Sequence, residues 1–225
     1  MKLKATLFGL ILLIAGAFQS ANAALLYDES VSGDLSDDNL SPTALMALAA
    51  GSNVVSGGVL ASPLDRDIFS ITVGAGQQLV GIVLDTYVSG DDQSFFAVAA
   101  GNTIASLFDT TALLGNALIG AAPGAMPGDN ILDDLGSGTF PGSTGFAGPL
   151  GPGAYTFWIQ ETTSGIRDYA LDFQVRASAV PLPSSLALLA IAIVALREIR
   201  LGHRLPHRPR RYTHGAFEGP REGSL

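Results

Sequence analysis

From Tyr169 to Val175 the chain alternates with a period of two. Tyr169, Leu171, Phe173 and Val175 are large and apolar, while Ala170, Asp172 and Gln174 between them are small or polar. Successive side chains of a strand point to opposite faces, so this pattern reads as a strand with one buried and one wet face. A second such segment precedes it, in which Tyr155, Phe157 and Ile159 alternate with Thr156, Trp158 and Gln160. The two strands are expected to be neighbours, with Phe157 or Trp158 and Phe173 in one core. Upstream, residues 68–73 and 95–100 read as strands, and residues 79–87 form a long β-branched run. Turns are expected at Gly74-Ala75-Gly76 and at Ser89-Gly90-Asp91-Asp92.

Two stretches are less regular. Residues 45–59 carry a turn signal at Gly51-Ser52-Asn53 and a glycine pair at Gly57-Gly58, with Val54 and Val59 around them. Residues 41–47 also fit a helix start, with Ser41 as N-cap and Pro42 in the first helical position. Residues 101–153 are rich in Gly, Ala and Pro, with apolar islands at 106–114 and 131–135 that are expected to form short helices or a further hairpin. Strands at regular spacing with Gly-rich turns predict an all-β fold, an antiparallel β-sandwich of jelly-roll type.

The termini read differently. Lys2 and Lys4, the apolar stretch 7–18 and Ala21-Asn22-Ala23 make a secretory signal peptide with cleavage expected before Ala24. At the other end Val180, Pro181, Leu182, Pro183, Ser184 and Ser185 run into the apolar stretch 186–196, and arginines begin at Arg197. A bilayer core needs about 20 apolar residues. The span therefore extends from Leu182 to Ile199, with Ser184, Ser185, Arg197 and Glu198 near the interfaces. The arginines place the body on the exported side. The expected organisation is a signal peptide over 1–23, an N-terminal linker over 24–42 and a β-sandwich domain over 43–177. A sorting motif, transmembrane helix and basic stop follow over 178–200, then a disordered tail over 201–225.

Composition limits what the body can do. Between Ala24 and Ala179 there are 17 Asp and Glu against three arginines, Arg66, Arg167 and Arg176, which leaves fourteen negative charges in excess. Such a surface repels nucleic acid and anionic lipid. The chain has no Cys, the body has no Lys, and all three histidines fall in the tail. Ser-His-Asp and Cys-His catalysis lack a base, zinc sites lack their usual ligands and Schiff-base chemistry lacks its amine. Only carboxylate-pair hydrolysis passes this screen. No catalytic residue and no cofactor is expected, calcium being the one ion the acidic loops would suit.

The C-terminal element resembles the PEP-CTERM sorting signal of exported proteins in exopolysaccharide-producing Gram-negative bacteria. That family carries Val-Pro-Glu-Pro-Ser/Thr, a transmembrane helix and an Arg-rich end; this chain matches at Val180, Pro181, Pro183, Ser184 and Ser185 and has Leu182 in place of Glu. The resemblance implies an exosortase-like membrane protease as partner, anchoring by the C-terminal helix, and transfer to the cell surface or an exopolysaccharide matrix. An ordinary tail anchor after a Pro-rich linker is the alternative.

A second resemblance covers roughly residues 43–175. Asp65-Arg66-Asp67-Ile68-Phe69, Val73-Gly74-Ala75-Gly76-Gln77-Gln78-Leu79 and Gly153-Ala154-Tyr155-Thr156-Phe157-Trp158-Ile159 are similar to the bacterial pre-peptidase C-terminal domain. It implies a small β-sandwich without chemistry of its own, some relatives of which bind calcium or matrix polymers, and it favours strand over helix at 43–49.

Two sets of binding candidates follow. Asp65, Asp67, Asp91 and Asp92 are candidate calcium ligands, because calcium takes six to eight oxygens from loops; the alternative is solvated turns. Tyr155, Trp158 and Gln160 are candidates for a glycan-stacking face, against the commoner fate of aromatics as core. The expected function is that of an exported, non-enzymatic surface or matrix protein, with a glycan- or calcium-binding adhesive module as the alternative.

Overall fold

The computed structural model describes residues 23–88, 93–121, 123–163 and 165–178. The expected signal peptide, the expected sorting motif with its apolar run, and the tail expected after residue 200 lie outside the described residues. So do Asp91 and Asp92. Among the described residues no helix is long and apolar enough to cross a membrane.

Among the described residues nine strands dominate: β1 Ala24–Asp28, β2 Thr43–Ala47, β3 Gly51–Leu60, β4 Arg66–Val73, β5 Gln77–Val88, β6 Ser94–Ala100, β7 Gly115–Ile119, β8 Gly153–Glu161 and β9 Ile166–Ala177. They form a four-stranded sheet in the order β1-β3-β9-β5 and a five-stranded sheet in the order β2-β4-β8-β6-β7. The fold is all-β, as the alternating segments predict. It departs from a purely antiparallel sandwich at one edge of each sheet, where β1 pairs parallel with β3 and β2 parallel with β4. The reason is the route of the chain. After β1 it crosses to the other sheet to form β2 before returning as β3, and a crossover of this kind delivers strands in parallel.

The region 24–42, expected to be a linker, supplies β1 and a helical turn over Glu29–Ser32. The turn expected at Gly51-Ser52-Asn53 is instead the start of β3. Asn53 is fully buried there, with its amide nitrogen donating to the carbonyls of Ala49 and Phe173. Residues 43–47 are strand rather than helix, since Thr43 and Ala44 stand beside Phe69 and Ser70 of β4.

β8 and β9 are not neighbours in one sheet but face each other across the core. From one sheet Val55, Ile82, Leu171 and Phe173 point inward, and from the other Phe69, Ile71, Phe96 and Phe157 meet them. The ring of Phe157 lies 5.1 Å from Phe173, edge to face, and 5.7 Å from both Phe69 and Phe96. With no disulfide available, this aromatic centre is the main cohesive element of the fold.

The Gly-rich stretch 101–153 covers what the sandwich leaves open. Asn130 and Leu150 bridge to the outer edge of β5 at Val83 and Leu79. Ala125 and Thr139 donate backbone hydrogen bonds to Leu118 and Asn116 of β7 at 2.9 Å each. Unpaired sheet edges invite association with other chains, and these loops cover parts of the β5 and β7 edges. The islands form a 3-10 turn at Thr110–Ala112 and a short helix at Leu132–Ser137, with β7 between them.

Candidate functional site

At one end of the sandwich the N-terminal segment folds onto the body through carboxylates. Asp28 caps the turn Glu29–Ser32, its Oδ1 accepting from the amide of Ser30 at 3.0 Å. Gly33 ends the turn at a φ of 92°, a left-handed value that favours glycine. The chain then doubles back, and Leu35 anchors it in the core. This return brings the Leu35 amide to Glu29 Oε1 at 2.8 Å, while the Gly58 amide of β3 reaches Glu29 Oε2 at 2.7 Å. Both oxygens of Glu29 are thereby held by backbone donors.

Asp67 completes the site from the other sheet. It shares its parity on β4 with the core residue Phe69, so its side chain points between the sheets, and it is fully buried. The Tyr169 hydroxyl, on β9 of the opposite sheet, donates to Asp67 Oδ2 at 2.7 Å, and Asp67 Oδ1 has no hydrogen-bond partner. Carboxylate oxygens of Glu29, Asp34 and Asp67 all lie within 4.8 Å of one another. Above them opens a cleft of about 550 Å³ whose lining includes Glu29, Asp34, Gly57, Gly58, Asp168 and Tyr169.

The glycines of β3 are part of this construction. A Cβ on Gly57 would stand 2.8 Å from the Tyr169 hydroxyl oxygen, 2.9 Å from Asp67 Oδ2 and 3.0 Å from Glu29 Cδ. Any side chain there would displace the carboxylates. Glycine inside a strand marks a place where something approaches the backbone closely, and here that is the acidic cluster.

Burial and mutual repulsion shift these groups together. Burial, and then the charge of Glu29, push Asp67 from its ordinary 3.8 to about 9. Burial also raises Glu29 against the downward pull of its two amides. Asp65, close enough to feel Asp34, Asp37 and Glu29, is raised to about 6, chiefly by burial. Tyr169 is pushed well above its ordinary range, first by burial and then by Asp67. A carboxyl whose folded pKa exceeds its unfolded value contributes most stability below the unfolded value and loses it as pH rises through the folded one. With divalent ions chelated, melting should therefore occur at progressively lower temperature between about pH 5 and about pH 8, and Asp67→Asn should flatten that slope. Thermal melts in buffered chelator give the answer, and a midpoint rising with pH would contradict this account.

Asp67 has no exposed surface and is engaged by Tyr169, so it cannot reach a glycosidic oxygen, which a general acid must contact.

The sequence candidates for calcium are divided by the fold. Asp67 lies in the cluster, Asp65 stands at its margin, and Asp91 and Asp92 are outside the described residues. Glu29 was missed, and Asp34, which opens the acidic run 34–38 that also reads as a possible source of calcium ligands, was not paired with Asp67, since nothing local to residues 29–34 shows that they meet β4. The available signal was Gly57-Gly58 inside a β-branched run, which reads as a turn until a neighbouring element explains it.

The glycan candidates do not form one face. Tyr155 and Trp158 have opposite parity on β8. Tyr155 packs against the main core and donates to the Gly151 carbonyl at 2.9 Å. Trp158 points to the outer face, where Ile104, Leu113 and Phe95 cover it and leave 7% of it exposed. Gln160 accepts from Arg66 Nε at 2.7 Å. The face expected to be open for stacking is thus roofed by the segment that follows β6. Comparison with known protein families, curated proteins and solved structures finds no match to this chain.

Proposed function

We propose that this chain is an exported, non-catalytic surface or extracellular-matrix protein. Its C-terminal segment holds it in the inner membrane until an exosortase-type protease acts at Val180–Ser185 and passes the body to an exopolysaccharide layer. One observation carries the reading. Strand β1 begins at Ala24, the residue expected to follow signal cleavage, and β9 ends at Ala177, just before Val180. The strands thus occupy the interval between the two sorting signals. A jelly-roll assignment is supported by the strand order, in which β3-β9-β5 of one sheet oppose β4-β8-β6-β7 of the other.

The prolines flanking Leu182 favour an extended backbone, because proline fixes its own φ and biases the residue before it. An extended segment is what a protease binds. Epitope tags placed before Val180 and after Arg200 should separate on fractionation when the exosortase is present and stay together when it is absent. Leu182→Glu, which restores the residue of the resembled motif, should raise the cleaved fraction. Tags that remain together in the membrane in every variant would reduce the segment to a plain anchor.

A further inference from the structure

We propose that Glu29, Asp34 and Asp67 bind one hard divalent cation, calcium by preference, and that the ion fastens the N-terminal strand and turn to the body of the sandwich. This goes beyond the export reading and does not depend on it. Two independent observations point to a ligand. The first is convergence: three carboxylates from three places in the sequence bring oxygens within 4.8 Å of one another. Calcium–oxygen bonds are about 2.3–2.6 Å, so oxygens on opposite sides of the ion stand at most roughly 5 Å apart. The cluster matches that span.

The second observation is Asp67 Oδ1. It is an oxygen of a fully buried carboxyl and has no hydrogen-bond partner, only the neighbouring carboxyl of Glu29. A buried acceptor left unmatched is costly. Tyr169 serves the other oxygen. A cation placed among the three carboxylates meets this need directly. The all-oxygen donor set selects a hard ion over zinc or copper, which prefer nitrogen and sulfur. Asp34 is exposed and faces the cleft, which gives an entry path and leaves room for water to complete the coordination.

The consequence follows from where the ligands sit. Glu29 and Asp34 belong to the N-terminal segment, Asp67 to β4 in the five-stranded sheet, and Gly58, which holds Glu29, to β3 in the four-stranded sheet. One ion therefore ties β1 and its turn to both sheets. Any ligand that binds only the folded arrangement stabilises it by mass action.

Isothermal titration of the full chain in detergent, first stripped with chelator and then titrated with calcium chloride, tests the proposal. One calcium per chain is expected, with affinity in the range of extracellular modules, about 10⁻⁴ to 10⁻³ M, and with weaker binding of magnesium. Asp34→Asn alters an exposed side chain and leaves the core intact. It should weaken binding at least about tenfold, the loss expected for one charged ligand. Asp133→Asn, on the helix Leu132–Ser137, should leave binding unchanged. Hydrogen exchange at residues 24–35 should slow with calcium by about tenfold or more. No heat up to about 10 mM calcium, ten times the weakest expected constant, would overturn the site, as would undiminished binding in Asp34→Asn. Binding without slowed exchange in 24–35 would overturn the fastening.

Discussion

Replacing Phe157 by Ala is expected to cost the fold about 3–5 kcal/mol, the range for emptying a buried aromatic position. The position is the worst one to empty. Phe157 stacks on Phe69 and on Phe96 and meets the edge of Phe173 at 5.1 Å, so its ring touches both sheets at once. Loops and strands around it are fixed by their own ladders and cannot collapse into the void. A domain of this size is stable by about 5–15 kcal/mol, and the loss corresponds to roughly 10 °C or more in Tm. Thermal melting of Phe157→Ala beside Phe157→Leu checks it. The leucine variant should lose less, because it fills part of the void, and equal losses below about 1 kcal/mol would show that the sheets do not pack through this ring.

Arg167→Met is expected to be comparably damaging for a different reason. Arg167 Nε lies 2.9 Å from Glu161 Oε2, with the two side chains 3% and 0% exposed. Glu161 is also held by the backbone amides of Thr162 and Thr163, at 2.7 and 2.8 Å on Oε1. Truncating the arginine leaves a carboxylate that can neither leave nor hydrate, and breaking a buried pair from one side costs about 3–5 kcal/mol. Replacing both partners removes the stranded charge, so Arg167→Met combined with Glu161→Gln should recover a large part of that loss. Urea denaturation of the three variants tests this. If the double variant is as unstable as the sum of the singles, the two residues act independently and the pair is not the cause.

These two centres differ in how far the sequence reveals them. Phe157 and Phe173 were legible because β9 alternates with a period of two and β8 does so around Phe157, while β4, β5 and β6 showed as apolar or β-branched runs. Such patterns fix which face is buried but not which sheet a strand joins. That is why β8 and β9 read as neighbours when they oppose each other across the core. The parallel edges were not legible either. β1 is five residues long with no alternation, and its pairing with β3 depends on a detour through the other sheet. Trp158 read as open because parity places it away from the main core. Its burial comes from Ile104 and Leu113, in a stretch with no periodic pattern at all. The acidic cluster is the extreme case. Asp67 stood out beside Phe69, but its partners Glu29 and Asp34 come from a segment that reads as linker, and only the return of the chain through Gly33 and Leu35 assembles them.

The body is therefore a sandwich whose strands fill residues 24–177, the interval between the proposed export signal and the proposed sorting signal. The claim that these signals govern its fate is tested most directly by the intact mass of the protein recovered outside the inner membrane. The account predicts a chain that begins at Ala24 and ends within or just after Val180–Ser185, lacking the apolar run and the basic tail. Recovery only as a chain that still carries Met1 and its signal segment, or an exported form that retains the residues beyond Arg200, would contradict it.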